Sequence, residues 1–224
     1  MSTASIDRKE KRFLTQDSQI SRRTYNLVLC GTLLYGFIVN LILCITVKDV
    51  TKFINPWIFL LLYLILSQLG CFIATKSDNP FISFIGYNMI VVPIGLFLSF
   101  GIYQLFGGLS SDIVINAFLI TACITALMTI FAIIKLDLCC KLGGIIGIML
   151  CSLLCTRIIL LVLGIRCVLV SWFGALTFTL CFAYDVYCSQ QYPPTFDNAI
   201  DSAADIYIDI AGIFMNLLDI LRDN

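Results

Sequence analysis

The hydrophobic pattern of the chain is a series of long apolar stretches separated by short polar segments. Six stretches are near the roughly 20 residues that cross a bilayer as a helix. They are residues 27–47, 56–74, 81–105, 112–134, 142–164 and 167–188. The polar connections are too short to hold a soluble domain. The pattern therefore predicts an all-α integral membrane protein that works inside the membrane or at its faces.

A seventh stretch, residues 199–221, is apolar on most sides and acidic along one side. On a helix its polar positions form one stripe, with steps of three or four residues: Asp201, Asp205, Asp209, Gly212, Asn216 and Asp219. Ionised carboxylates are costly in plain lipid, so we expect a seventh transmembrane helix that packs against the others. The alternative is a helix lying flat in the membrane interface. That arrangement is disfavoured because interfacial helices prefer Lys and Arg to acids.

The glycine pattern of the fifth stretch predicts a close approach between helices. Gly143, Gly144 and Gly147 give the spacing of small residues that is common at membrane helix interfaces. We interpret them as packing residues without a direct role in function.

Composition supports a membrane protein and removes several classes of function. Hydrophobic residues make up 60% of the chain and charged residues 12%, whereas soluble domains have about 45–50% and about 25%. The formal net charge is zero, and no basic surface indicates binding to nucleic acid. Histidine is absent, which removes the commonest metal ligand and leaves carboxylates for proton chemistry near neutral pH. No cofactor is expected.

Residues 1–26 form a polar, basic N-terminal segment, and residues 27–224 form the predicted transmembrane domain. The segment contains no apolar core followed by a small-residue cleavage site, so no cleavable signal peptide is expected. Placing the segment in the cytoplasm puts most lysines and arginines on the inner side of the membrane, as the positive-inside rule requires. The sequence thus predicts a multi-pass protein with a cytoplasmic N-terminus.

Acids on two different stretches are expected to meet. Asp185 lies near the end of the sixth stretch, and the turn at residues 192–194 sends the seventh helix back beside it. Two carboxylates in a dry, shared site cannot both ionise cheaply, so they titrate as a coupled unit. Such a pair is a pH switch without histidine. When ionised, it offers the hard oxygen ligands that calcium prefers.

The residues around these acids resemble a known membrane-protein family. The sixth stretch ends in Phe182-Ala183-Tyr184-Asp185, and the seventh contains Tyr207-Ile208-Asp209-Ile210, followed by Phe214 and Asn216-Leu217-Leu218. This pattern is similar to that of the transmembrane Bax-inhibitor-motif family. The rest of the chain agrees with the family in length, number of spans and polar N-terminus, and the length favours a bacterial member.

The resemblance implies a fold of six helices wrapped around a central seventh helix. It also implies a function, because bacterial members are similar to proton-sensitive calcium leak channels in which the positions of Asp185 and Asp209 form the pH-sensing pair. Calcium would then be the permeant or bound ion, with these two aspartates as its ligands. The implied location is the cell (plasma) membrane, with the endoplasmic reticulum membrane as the alternative. The sequence leaves open whether low pH opens or closes the channel.

Several positions depart from the family pattern. Asp205 stands where the family often has Asn or Ser, and it adds a third acid to the predicted ion pathway. The basic residue that can latch the pair is matched most nearly by Lys76, which lacks the bidentate fork of an arginine. Arg157, in the middle of the fifth stretch, is a second candidate for this counter-charge. Asp201 and Asp219 lie near the ends of the seventh helix, where we expect solvated interfacial acids.

Two other classes of function are alternatives to the channel. The first is a non-transporting regulator that binds and inhibits a membrane quality-control protease or cell-death and stress factors, with residues 1–26 as its docking segment. The second is an intramembrane enzyme, which is disfavoured because the chain has no histidine, no HExxH, no GxSxG and no GxGD motif. We therefore expect no catalytic residue. Neutralising the aspartates separates the channel from the regulator, since only the channel depends on them.

Overall fold

The computed structural model describes Arg12 and residues 18–46, 56–77, 79–100, 111–134 and 136–223. Within these ranges the regular structure is α-helical, in seven helices: α1 (Arg22–Thr46), α2 (Pro56–Lys76), α3 (Pro80–Phe100), α4 (Ser111–Ile134), α5 (Leu136–Leu163), α6 (Val168–Gln191) and α7 (Phe196–Arg222). The predicted all-α fold is confirmed. Residues 101–105, the end of the third predicted stretch, lie outside the described residues. Helix α5 begins before residue 142, because hydropathy marks where the apolar run begins and not where the helix begins.

Five of the described helices are long and apolar enough to cross a membrane, over Arg22–Leu43, Pro80–Ser99, Asp112–Ala132, Gly143–Leu163 and Val168–Gln191. Helix α2 contributes a shorter described apolar segment, Leu61–Ala74. Large apolar side chains such as Leu27, Ile148 and Val162 are exposed on these helices, as a lipid-facing surface requires. The chain is therefore a multi-pass membrane protein. Helix α7 is less apolar because aspartates recur along its whole length.

The chain divides into two compact units. The N-terminal unit comprises Ser2–Gly108 and Tyr192–Tyr207, and so contains α1, α2, α3 and the first part of α7. The C-terminal unit comprises Leu109–Gln191 and Ile208–Asn224, and so contains α4, α5, α6 and the rest of α7. Each unit is thus a set of three helices with its own part of the acidic helix.

In the N-terminal unit, α2 and α3 approach each other so closely that their backbones touch. A Cβ atom built on Gly70 would lie 2.7 Å from the carbonyl oxygen of Gly86, and the reverse distance is also 2.7 Å. Such an approach is possible only with glycine at both positions, because a backbone atom cannot move aside as a flexible side chain can. Helix α3 also holds α1, since the Tyr87 hydroxyl donates a hydrogen bond to the Thr32 carbonyl oxygen at 2.8 Å.

In the C-terminal unit, α5 packs against α6, and a left-handed glycine makes the connection. Gly164 has a φ of 66°, a conformation that costs glycine little. The backbone N–H of Ile165 donates to the Leu160 carbonyl at 3.0 Å, and that of Gly164 donates to the Leu161 carbonyl at 3.3 Å. This is the hydrogen-bond pattern of a Schellman motif, and it ends α5.

The predicted glycine interface of α5 is only partly correct. A Cβ atom on Gly143 would lie 2.8 Å from the hydroxyl oxygen of Tyr184 on α6, so this glycine does lie at a close contact. Among the described residues, Cβ atoms on Gly144 and Gly147 would meet nothing within 4 Å. The spacing of small residues shows that a helix can be approached closely, but not which of its faces meets a neighbour.

We expect Gly86→Ala to destabilise the protein, because the added methyl group would lie 2.7 Å from the Gly70 carbonyl oxygen and 2.9 Å from the Ala74 Cβ. Overpacking of this kind costs about 1–3 kcal/mol in the free energy of unfolding. Thermal unfolding of the purified protein in detergent measures the change. The matched control is Gly144→Ala, which adds the same methyl group in open space. Equal melting temperatures for the two variants would contradict the close approach of α2 and α3.

Candidate functional site

Helices α6 and α7 lie side by side in the C-terminal unit and run antiparallel. The Ser171 hydroxyl donates a hydrogen bond to Asp219 Oδ2 at 3.0 Å, near the start of α6 and the end of α7. Further along α6, Phe178 faces Gly212, where an added Cβ atom would lie 2.5 Å from the phenylalanine ring. The contacts therefore run in opposite order along the two helices, and they continue toward the end of α6 that carries Asp185.

Asp185 and Asp209, the predicted pH-sensing pair, belong to these two helices. Both carboxylates act electrostatically on the thiol of Cys181, which lies one turn before Asp185 on α6. Asp209 is buried, with 5% of its surface exposed, and Asp185 is partly buried. The structure thus brings the two acids into the surroundings of one side chain.

The turn that precedes α7 belongs to the N-terminal unit and is fixed by its own hydrogen bonds. Pro193 and Pro194 cannot continue a helix, so the chain changes direction after residue 191. Thr195 caps α7, because its hydroxyl accepts a hydrogen bond from the backbone N–H of Asn198 at 3.2 Å. The Asn198 side-chain amide donates to the Pro193 carbonyl at 3.0 Å and so closes the turn.

Arg12 of the N-terminal segment is buried against the first part of α7. Its Nη2 lies 3.0 Å from Asp205 Oδ2, and its Nε lies 3.7 Å from Asp201 Oδ2. Its guanidinium carbon lies 5.0 Å from the centre of the Tyr192 ring, and its carbonyl accepts a hydrogen bond from the Asn198 side chain at 3.1 Å. The residue is 6% exposed. We call this group, consisting of Arg12, Asp201, Asp205, Tyr192 and Asn198, the Arg12 cluster.

The charge of Arg12 is strongly stabilised in this environment. Burial alone lowers the pKa of a guanidinium, but the charges of Asp205 and Asp201 and the phenol of Tyr192 outweigh it. The pKa of Arg12 is therefore raised above its ordinary value. Arg12 is therefore a buried cation in this structure.

The Arg12 cluster corrects one expectation and extends another. Asp201 is not a solvated interfacial acid, since it is 3% exposed and is paired with a buried guanidinium. Asp205, predicted as part of the ion pathway, bears the shorter of the two ion pairs. The sequence did not single out Arg12, because it is one of several basic residues in the segment. The available signal was the spacing of Asp201 and Asp205, which places two acids on one helix face and calls for a cation.

Arg157, predicted as a possible latch, is paired with the opposite end of α7. Its Nη1 lies 3.3 Å from Asp219 Oδ2, and its Nη2 donates hydrogen bonds to Asn216 Oδ1 at 2.6 Å and to Ser171 Oγ at 3.3 Å. Asp219 is ten residues after Asp209, or about 15 Å along the helix. Arg157 thus anchors Asp219. Asp219 is therefore not the fully solvated interfacial acid that the sequence predicts. The side chain of Lys76, the other predicted counter-charge, lies outside the described part of the structure.

The first part of α7 also forms polar contacts that the sequence analysis missed. Asp197, 3% exposed, accepts a hydrogen bond from the Ser83 hydroxyl of α3 at 2.6 Å. Ser202 shares a hydrogen bond with the Tyr25 hydroxyl of α1 at 2.9 Å. These polar residues follow one another along α7, and each bonds to a different neighbouring position of the N-terminal unit.

The described residues hold no group of three or more Cys, Asp or Glu side chains that could bind a metal ion. Calcium takes six to eight oxygen ligands, so Asp185 and Asp209 alone supply only part of a coordination shell.

A family model described as inhibitor of apoptosis-promoting Bax1 matches residues 17–224. The matched range contains all seven helices and both aspartates of the predicted pair, and it begins after Arg12. Among curated proteins, no sequence matches the chain.

We expect Ser83→Ala to lower the free energy of unfolding by about 1–3 kcal/mol, because it removes a hydrogen-bond donor from the buried carboxylate of Asp197. Thermal unfolding in detergent measures the loss. Ser152→Ala is the matched control, since Ser152 is exposed and its hydroxyl donates to the backbone carbonyl of Met149 on its own helix. If both variants unfold like the native chain, the bond between Ser83 and Asp197 does not stabilise the fold.

Proposed function

This chain belongs to the Bax inhibitor family, and on that premise we propose that it is a pH-sensitive calcium leak channel gated by Asp185 and Asp209. The observation that supports the proposal most directly is the shared position of these acids, both of which act on Cys181 in the packed pair α6 and α7. The protein itself would carry out no chemical reaction.

The burial of the pair supports a role as a proton sensor. In low-dielectric surroundings two nearby carboxylates resist simultaneous ionisation, so the pair gains and loses protons as one coupled unit. With a proton, the pair can form an internal hydrogen bond. Without it, the two charges repel each other and attract a cation. The change in charge therefore alters the force between α6 and α7.

The packing of α6 against α7 supports a role in gating. At Gly212 the ring of Phe178 lies directly against the helix backbone, and at Gly174 the side chain of Asn216 does the same. At each of these contacts a side chain of one helix meets a glycine of the other, and small sliding of packed helices is one of the known modes of switching. We propose that protonation of Asp185 and Asp209 shifts α7 along this contact and so changes the access of calcium.

Calcium is proposed as the ion that passes, not as a resident ligand. A channel site must bind its ion strongly enough for entry and weakly enough for release. Two ionised carboxylates provide hard oxygen ligands, and water completes the shell. We place the protein in the cell membrane with a cytoplasmic N-terminus, with the endoplasmic reticulum membrane as the alternative location.

The experiment is calcium flux into liposomes that contain the purified protein, measured from about pH 5 to about pH 8, where histidine cannot contribute because the chain has none. We expect flux in the native protein to change with pH. Asp185→Asn and Asp209→Asn should each flatten that dependence, since an amide cannot take part in the coupled titration. Asp112→Asn is the matched control, because Asp112 is an exposed acid in the first turn of α4.

Two results would overturn the channel. The first is a native protein that passes no calcium at any pH, and the second is a pH dependence that persists in both variants. The regulator is then the remaining function, and its test is capture of membrane proteins by the native chain and by a chain without residues 1–16. Loss of capture in the shortened chain would identify the N-terminal segment as the docking element.

A further inference from the structure

Three helices of the C-terminal unit meet in one polar network near the end of α7. Arg157 of α5 places its Nη1 3.3 Å from Asp219 Oδ2, and its Nη2 donates hydrogen bonds to Asn216 Oδ1 at 2.6 Å and to Ser171 Oγ at 3.3 Å. Ser171 of α6 in turn donates to Asp219 Oδ2 at 3.0 Å. We call this group, consisting of Arg157, Ser171, Asn216 and Asp219, the Arg157 clamp. It joins two residues of α7 to both α5 and α6.

The position of Asn216 within the clamp is closely fixed. Its side-chain nitrogen donates to the Gly212 carbonyl, one turn earlier on α7, at 2.7 Å. Its side-chain oxygen lies directly against the backbone of α6 at Gly174, where an added Cβ atom would collide with it. The residue is 5% exposed. Asn216 therefore cannot move along α6 without breaking its hydrogen bond to Arg157.

The surroundings of the clamp make its bonds costly to break. Arg157 belongs to the membrane-spanning segment Gly143–Leu163, where the neighbouring side chains of Leu154 and Ile158 are apolar and exposed. A polar group in such surroundings has little water to replace a lost partner. Asp219 keeps a second cation, because its Oδ1 lies 3.6 Å from Arg222 Nη2. The cost of opening the clamp therefore falls mainly on Arg157.

The clamp and the pair Asp185 and Asp209 involve the same two helices of one unit. Asp209, Asn216 and Asp219 lie on the continuous helix α7. A displacement along the axis is transmitted along a helix, because the hydrogen bonds of its backbone keep the rise per residue constant. Helix α7 therefore cannot shift along α6 at Asp209 while its last turns are held in the clamp.

We propose that the Arg157 clamp fixes the resting position of α7 against α6, so that Arg157 is a positioning residue for Asp185 and Asp209. The shift of α7 that accompanies gating must then open the clamp. The role of the clamp in calcium flux rests on the function proposed above, whereas its control of the position of α7 does not. Arg157 thus acts on the pair through α7, in contrast to a counter-charge that touches the pair.

The first test follows the surroundings of the pair through Cys181, whose buried thiol is influenced by both aspartates. The purified native protein and Arg157→Gln react with N-ethylmaleimide in detergent, and peptide mass spectrometry gives the rate at each cysteine. We expect the rate at Cys181 to rise about fivefold or more in Arg157→Gln, the lower end of typical coupling between two sites. Cys151, which is exposed on α5, is the internal reference and should react at an unchanged rate. Equal rates at Cys181 in the two chains would overturn the proposal.

Two further variants keep this test independent of the folding of Arg157→Gln. Ser171→Ala removes the hydroxyl that links Arg157 to Asp219 but leaves their ion pair, so it should raise the rate at Cys181 by a smaller factor. Arg166→Gln is the matched control, because it removes an exposed arginine from the connection that follows α5, and it should leave the rate at its native value. A rise of the same size in Arg166→Gln and Arg157→Gln would reflect lost charge in general and would rule out the clamp.

Calcium flux then separates this proposal from the channel itself. If the native protein leaks calcium, Arg157→Gln should keep a pH dependence, since Asp185 and Asp209 remain. The midpoint of that dependence should move by up to about one pH unit for each tenfold change in the equilibrium between positions of α7. A midpoint that stays in place, although Cys181 reacts faster, overturns the role of the clamp in gating but not the channel. If no protein leaks, the channel falls, while the rates at Cys181 still decide whether the clamp positions the pair.

Discussion

The cost of placing a carboxylate in low-dielectric surroundings determines how α7 is held. Several of its acids have a partner from another part of their unit: Asp197 accepts a hydrogen bond from Ser83, Asp201 and Asp205 pair with Arg12, and Asp219 pairs with Arg157. Burial of a charge without a partner costs far more than an ordinary apolar contact contributes. The polar stripe of α7 therefore specifies its neighbours, whereas apolar side chains alone would allow many packings.

The parts of the fold that depend on local pattern could be predicted from the sequence. Helix number and approximate bounds follow from the length of apolar stretches, because a membrane helix needs a fixed number of apolar residues. The acidic face of α7 follows from its helical period, which is a property of neighbouring positions. Asp185 and Asp209 could be predicted from a motif that spans two helices adjacent in sequence. A short turn between these helices is enough to bring both acids near Cys181.

The parts that depend on distant residues could not be predicted. Nothing near Arg12 in the sequence shows that it lies beside Asp205, and its burial is decided by the turn at residues 192–194. The glycine contacts show the same limit, since Gly147 belongs to a recognisable spacing but meets no described residue within 4 Å, whereas Gly86 belongs to none and touches Gly70. Local sequence indicates what a position can tolerate, and only the fold determines which partner it receives.

The pairing of Arg12 with α7 has a consequence for the order in which the protein is made. Arg12 and Asn198 are 186 residues apart, so the ribosome must produce nearly the whole chain before the cluster can form. During that interval Asp201 and Asp205 have not yet been synthesised, and the guanidinium of Arg12 lacks its contacts with them. The first six helices are therefore synthesised before these contacts can form. An interruption of translation before residue 198 would therefore leave Arg12 without its contacts to Asn198, Asp201 and Asp205.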